Sequence, residues 1–135
     1  LKVALLALIA QRGAWPAAAA LLAAHALSRL APLVVMRSLP YVSDAAHAKA
    51  KPIAEAVTGR GFGIGCLWSI PALALIWQAQ GALGLIASLL LWAAALAFML
   101  RLLRRRLQGF TGDTLGATQQ VCELALYLGF ALAWP

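Results

Sequence analysis

The chain has 135 residues, of which 64% are hydrophobic and only 11% charged, with a mean hydropathy of +0.87. A soluble domain is about 25% charged, so the composition excludes an ordinary soluble enzyme and reads as an integral membrane protein. The net charge of +7 would suggest nucleic acid in a soluble chain, but here the basic residues fall between apolar runs, as in the cytoplasmic loops of a membrane protein. Cys66 and Cys122 belong to no CxxC or Cys/His cluster, so neither a disulfide framework nor a zinc site is indicated. The first residue is Leu rather than Met and no signal-peptide layout follows it, so the sequence is expected to begin inside a larger protein.

Taken in order, residues 1–10 read as the end of a membrane helix, and Gln11-Arg12-Gly13 as a turn. Residues 14–36 suit a bilayer crossing of about 20 residues, with Pro32 expected to weaken or kink the helix. His25, Ser28 and Arg29 are spaced by three and four, which places them on one helix face. Arg29 either snorkels to headgroups or faces a polar cavity and pairs with an anion, and the shared face favours a site for Ser28 and Arg29. Residues 37–60 form the longest polar connection, where Arg37, Lys49, Lys51 and Arg60 outnumber Asp44 and Glu55. Their excess places this loop in the cytoplasm.

Residues 61–79 form a charge-free span. Gly59, Gly61, Gly63 and Gly65 in its approach lack the lysine of a phosphate loop and fit close helix packing better. Gln80-Gly81 is a tight outer turn, and residues 82–100 are the cleanest span. Arg101, Arg104, Arg105 and Arg106 then anchor the following loop on the cytoplasmic side, against anionic lipid. Residues 114–134 form the last span, ending at the interface-belt residue Trp134. The fold expected is all-α: a polytopic transmembrane bundle of four spans plus a partial first helix, forming one domain. Loops 37–60 and 101–113 are expected on the cytoplasmic side, and Arg12 dissents mildly from that charge pattern.

Between the last two spans lies a polar knot, Gly109-Phe110-Thr111-Gly112-Asp113-Thr114-Leu115-Gly116-Ala117. Gly109 and Gly112 relax the backbone, and Asp113 suits the N-cap of the next helix. A cap does not explain Glu123, an acid within an apolar segment, where facing lipid is costly. Steps of three and four align Asp113, Gly116, Gln120, Glu123 and Tyr127 in one polar stripe. Carboxylates, helix N-terminal amides and nearby arginines suit magnesium-assisted phosphate chemistry, with a packed polar interface as the competing explanation.

The knot and the acid beyond it closely resemble the C-terminal motif Gly-x-Thr-Gly-Asp-x-Leu-Gly-Ala of bacterial cobalamin synthases, the adenosylcobinamide-GDP ribazoletransferases. Ser28-Arg29 resembles the Ser-Arg pair of an earlier helix in that family. Leu39-Pro40-Tyr41-Val42 followed by Lys49-Ala50-Lys51-Pro52 resembles its cytoplasmic loop. The family's N-terminal acidic motif, of the Asp-Gly-Leu-Ala-Asp-x-x-Asp-Gly type, has no counterpart here. The chain is therefore expected to be the C-terminal half of such a protein, inactive alone.

The resemblance implies the last step of cobalamin nucleotide-loop assembly. A ribose hydroxyl of α-ribazole, or of its 5′-phosphate, attacks the cobinamide-side phosphate of adenosylcobinamide-GDP and GMP leaves, with Mg2+ screening the developing charge. It casts Asp113 as a catalytic carboxylate near the metal or the attacking hydroxyl, and Glu123 as a further metal ligand or an orienting group. Thr111 and the Gly112 amide hold a phosphate oxygen, while Ser28, Arg29, Lys49 and Lys51 serve substrate phosphates. Membrane lipid and the two substrates are the expected partners, a homo-oligomer is left open, and nucleic acid is not expected. The rivals are a transporter half, for which no inverted repeat is visible, and a structural subunit whose glycines merely pack helices.

Overall fold

A computed structural model describes residues 1–42 and 57–132. Lys49, Lys51 and Trp134, singled out above, lie outside the described residues, as do Asp44 and Glu55. Among the described residues five helices follow one another: α1 (Lys2–Ala10), α2 (Ala14–Ser28), α3 (Leu30–Ser38), α4 (Gly59–Arg106) and α5 (Gly112–Leu132). Among the described residues the only β pairing is an isolated bridge between Tyr41 and Phe110. The fold is the all-α transmembrane bundle that the composition calls for.

Pro32 interrupts the helix as expected, with the break one turn upstream of it. Its missing N–H leaves the Ser28 carbonyl unbonded and its ring crowds that carbonyl, so the helix breaks at Arg29 between α2 and α3. The Arg29 amide bonds the Ala26 carbonyl at 3.3 Å instead. Arg29 keeps a helical backbone (φ −71°, ψ −17°), so Ala14–Ser38 still runs as one apolar stretch of 25 residues, long enough to cross a bilayer.

The 48 residues of α4 would reach about 72 Å if straight, more than twice a hydrocarbon core. Gly81, at φ 68° and ψ −166°, breaks it. That conformation is open to glycine and strained for other residues. The two arms, residues 59–80 and 82–106, return to the same end of the bundle. There Arg37 lies 5.6 Å over the Phe62 ring, and Leu103 shares a core with Val35 and Phe110.

At the opposite end the carbonyls closing α5 are satisfied by side chains. Arg12 donates to the Phe130 and Ala131 carbonyls at 3.0 and 2.7 Å, and Gln80 donates to Phe130 at 2.7 Å. A cation at a helix C-terminus is favoured by the macrodipole. Arg12 is thus a helix cap, which accounts for its departure from the charge pattern of the loops.

Helix α5 is central, packed on α1, α2, α3 and α4. Ala19, Ala20, Ala23 and Ala24 of α2 are fully buried, letting neighbouring backbones approach. The tightest approach is at Gly129, where a Cβ would sit 2.5 Å from Ser88 Cα. Since Ser88 meets it with backbone, Gly129→Ala should force α5 away from residues 82–106. The expected loss is about 1–3 kcal/mol, read as a lower midpoint in thermal unfolding of the purified membrane protein. Trp68, Trp77, Leu83, Leu90 and Phe98 point outward, as suits a surface facing acyl chains.

Candidate functional site

The polar knot joins α4 to α5 and clasps the start of the 37–60 connection. The Phe110 amide donates to the Pro40 carbonyl at 3.0 Å and the Val42 amide to the Phe110 carbonyl at 2.9 Å. The Tyr41 and Phe110 rings meet edge-on, 5.6 Å apart. Gly109 is needed here for space rather than for backbone freedom: a Cβ would lie 2.5 Å from the Pro40 carbonyl oxygen and 2.6 Å from Val42 Cγ1. The residue with positive φ in this turn is Gln108, at 55°. The described start of the 37–60 connection and the knot thus meet at one end of the bundle.

Asp113 is not the helix cap. Thr111 is, in a reciprocal pair with Thr114: the Thr114 amide donates to Thr111 Oγ1 at 3.4 Å and the Thr111 amide to Thr114 Oγ1 at 2.8 Å. This is a capping box with threonine in the place usually taken by glutamate or glutamine. Thr111 stands two residues before the expected cap, and the turn of the chain brings its hydroxyl to the Thr114 amide. Asp113 is thereby freed. Its carboxylate stands exposed in the first turn of α5, where the dipole favours negative charge. The Gly112 and Asp113 amides precede the first helical hydrogen bonds, so they face outward beside it.

The expected stripe divides along its length. Asp113, Gly116 and Gln120 are exposed, whereas Glu123 and Tyr127 are buried. Glu123 is held on three sides. Lys2 Nζ lies 2.6 Å from Oε2, the Tyr127 hydroxyl donates to Oε1 at 3.0 Å, and His25 Nδ1 stands 3.9 Å from Oε1. Ten residues of unbroken helix separate the two carboxylates by about 15 Å along the axis. Asp113 and Glu123 therefore cannot share one ion, and a cation at Glu123 would meet the Lys2 ammonium. As a pair they do not fit magnesium. Asp113 alone fits as one oxygen ligand of a hard cation that also binds phosphate. Among the described residues no three His, Cys, Asp or Glu side chains gather.

Ser28 and Arg29, read as one site, point apart. Ser28 is fully buried and its hydroxyl donates to the His25 carbonyl at 3.2 Å, so it has no access to a substrate. Arg29, the next residue, is exposed and lines a groove of about 480 Å³ with His25, Leu30, Leu33, Gly65 and Trp68. Adjacent helical residues are about 100° apart around the axis, which is enough to send one to the core and the other outward. Thr111 is half-buried, its hydroxyl engaged in the cap yet able to donate outward, and Gly112 is exposed.

A family model described as cobalamin-5-phosphate synthase matches residues 1–131. The chain belongs to that family. It is 46% identical over 145 aligned residues to an adenosylcobinamide-GDP ribazoletransferase of Albidiferax ferrireducens, covering 97% of this chain and 52% of the relative. A protein of the same name from Leptothrix cholodnii is 48% identical over 112 residues, covering 82% and 42%. One from Vibrio cholerae is 38% identical, covering 79% and 40%. The chain thus spans about half the length of the curated relatives it matches. No solved structure matches it.

In this member of the family, sequence reasoning passed over Lys2 and set His25 aside. Both belong to the cluster around Glu123. The signal was available in part. Lys2 is the only charge in its ten-residue apolar run, and an ionisable group within a membrane normally has a partner. Which partner could not be read, because Lys2 and Glu123 are 121 residues apart.

Proposed function

We propose that this chain is the part of a membrane transferase that presents the substrate's diphosphate to the attacking acceptor in the last step of cobalamin assembly. Adenosylcobinamide phosphate passes from adenosylcobinamide-GDP to α-ribazole or its 5′-phosphate, and GMP is released. The family match over 1–131 supports this reading. On the chain itself it is carried by Asp113, an exposed carboxylate beside uncapped amides at the N-terminus of α5. Amides at a helix start bind anions, and a carboxylate among them repels an anion unless it takes a proton or a cation. That combination suits phosphoryl transfer, which needs both oxyanion donors and a group at the attacking hydroxyl.

In this reading the Gly112 amide and the Thr111 hydroxyl hold a phosphate oxygen, and Asp113 orients the attacking hydroxyl and takes its proton. Asp113 would be one ligand of a magnesium ion, which when bound would supply neutralisation of charge on the phosphoryl oxygens. Arg29 serves a phosphate from the groove, and Lys49 and Lys51 do so from the connecting loop. The bundle sits in the bacterial inner membrane with loops 37–60 and 101–113 in the cytoplasm, where GDP-linked substrates occur, and the arginines of 101–106 rest on anionic lipid.

The full-length protein in membranes should release GMP from adenosylcobinamide-GDP only when α-ribazole or its phosphate is present. Release without acceptor, or none with it, would refute the reaction. Orientation has a separate check in a variant without Cys66 and Cys122. Ser38→Cys and Gln108→Cys should label from the cytoplasmic side and Gln11→Cys from the other. Labelling of Ser38→Cys and Gln108→Cys from opposite sides would overturn the topology.

A further inference from the structure

The groove between α2–α3 and residues 59–80 holds Arg29 in a setting that its proposed phosphate role alone does not explain. Arg29 lies nine residues from the end of α3 at Ser38, about 14 Å below that end of the bundle. At this depth a guanidinium requires a partner. Among the described residues its polar contact is His25, with Nη2 3.5 Å from Nε2. Behind His25 stand Glu123, 3.9 Å from Nδ1, and Lys2, which already matches the Glu123 charge at 2.6 Å. With Lys2 and Arg29 positive and Glu123 negative, the cluster carries at least one positive charge in excess. Arg29 is where that excess meets the groove.

The two neighbours of His25 also decide which nitrogen carries its hydrogen. A guanidinium can only donate, so Nε2 facing Arg29 must offer its lone pair, and Nδ1–H is left to face the Glu123 carboxylate. A neutral ring in this one tautomer suits both contacts. The ring in turn braces a long side chain that would otherwise sample many rotamers. Leu22, Leu30, Leu33 and Trp68 make the rest of the wall apolar. A guanidinium fork matches phosphate geometry, and bidentate pairs of this kind are among the strong hydrogen bonds.

We propose that His25 is a positioning residue that holds Arg29 in the groove as a receptor for the phosphoryl group of an amphiphilic ligand. A membrane phospholipid and the diphosphate-bearing substrate share this chemistry. The claim rests on the phosphate role proposed for Arg29 and not on the chemistry at Asp113, which the GMP assay tests separately.

The full-length protein in phosphatidylcholine nanodiscs can be titrated with inorganic pyrophosphate, and in detergent its retention of phosphatidylglycerol can be read by native mass spectrometry. Arg29→Ala and His25→Ala are each expected to weaken the same probe about tenfold, the scale of one charge-assisted hydrogen bond. His25→Gln, which keeps an acceptor, should stay within about threefold of wild type on the same scale. A pyrophosphate effect assigns the groove to substrate and a phosphatidylglycerol effect assigns it to lipid. If neither probe responds to Arg29→Ala, or if His25→Ala binds as wild type does, the proposal is overturned. Nitrogen-15 NMR of His25 in the unaltered protein needs no variant. The neutral Nδ1–H tautomer is expected, and the Nε2–H tautomer would refute the positioning role.

Discussion

Replacing Asp113 by alanine is expected to lower GMP release by the full-length protein at least a hundredfold while leaving the fold intact. The two halves of that expectation have different causes. A group that moves a proton in a transition state contributes about 10²–10⁴ in rate. The same carboxylate contributes little to stability, because it is exposed and its benefit to α5 is that of an acid in the first helical turn, about 0.3–1 kcal/mol. The cap itself rests on Thr111 and Thr114 and survives the change. Asp113→Asn separates the contributions further, since it keeps size and polarity but removes both the charge and the proton acceptor. It should be nearly as inactive as alanine. If Asp113→Ala kept near wild-type turnover with an unchanged unfolding midpoint, the knot would be a structural clasp and its proposed role wrong.

Much of the architecture was readable because a membrane chain writes its topology in composition. Spans, the turn at Gly81 and the convergence of 37–42 with 109–111 at one end follow from apolar length and from where Arg and Lys fall. What spacing could not give is the neighbour of each face. It set Asp113 and Glu123 on one broad face of α5, but it could not tell that α1 brings Lys2 against only the lower part of that face. One stripe therefore became two environments, an open carboxylate and a buried ion pair. Ser28 and Arg29 were misread for a related reason. Near-identical spacing from His25 suggested a common face, yet burial is decided by the helices packed around α2, and these enclose Ser28 and leave Arg29 in the groove. Arg12 shows the converse case, a charge that looked like a topology signal and is spent on the end of another helix.

The buried pair makes the larger stability prediction. The Glu123 side chain is 5% exposed and that of Lys2 31%, so truncating either leaves the other charge poorly solvated inside the bundle. Loss of one partner of a buried pair costs about 3–5 kcal/mol. Lys2→Met should fall at that level because it strands the more buried carboxylate. Glu123→Leu should cost somewhat less, since Lys2 can reach toward water, although it also leaves the Tyr127 hydroxyl without its acceptor. The double variant, Lys2→Met with Glu123→Leu, removes both charges and should recover most of the lost stability, because an apolar pair is no worse than an ion pair in such a setting. Unfolding midpoints of the four proteins give the coupling directly, and additive losses would mean that the 2.6 Å contact carries no energy. The double variant also separates the roles open to Glu123. It restores packing without restoring the carboxylate that faces His25. A folded double variant with full turnover would reduce Glu123 to a structural partner of Lys2. A folded double variant with weakened phosphoryl binding and unchanged kcat would place its influence on Arg29, and a collapse of kcat would bring the carboxylate back to the reaction itself.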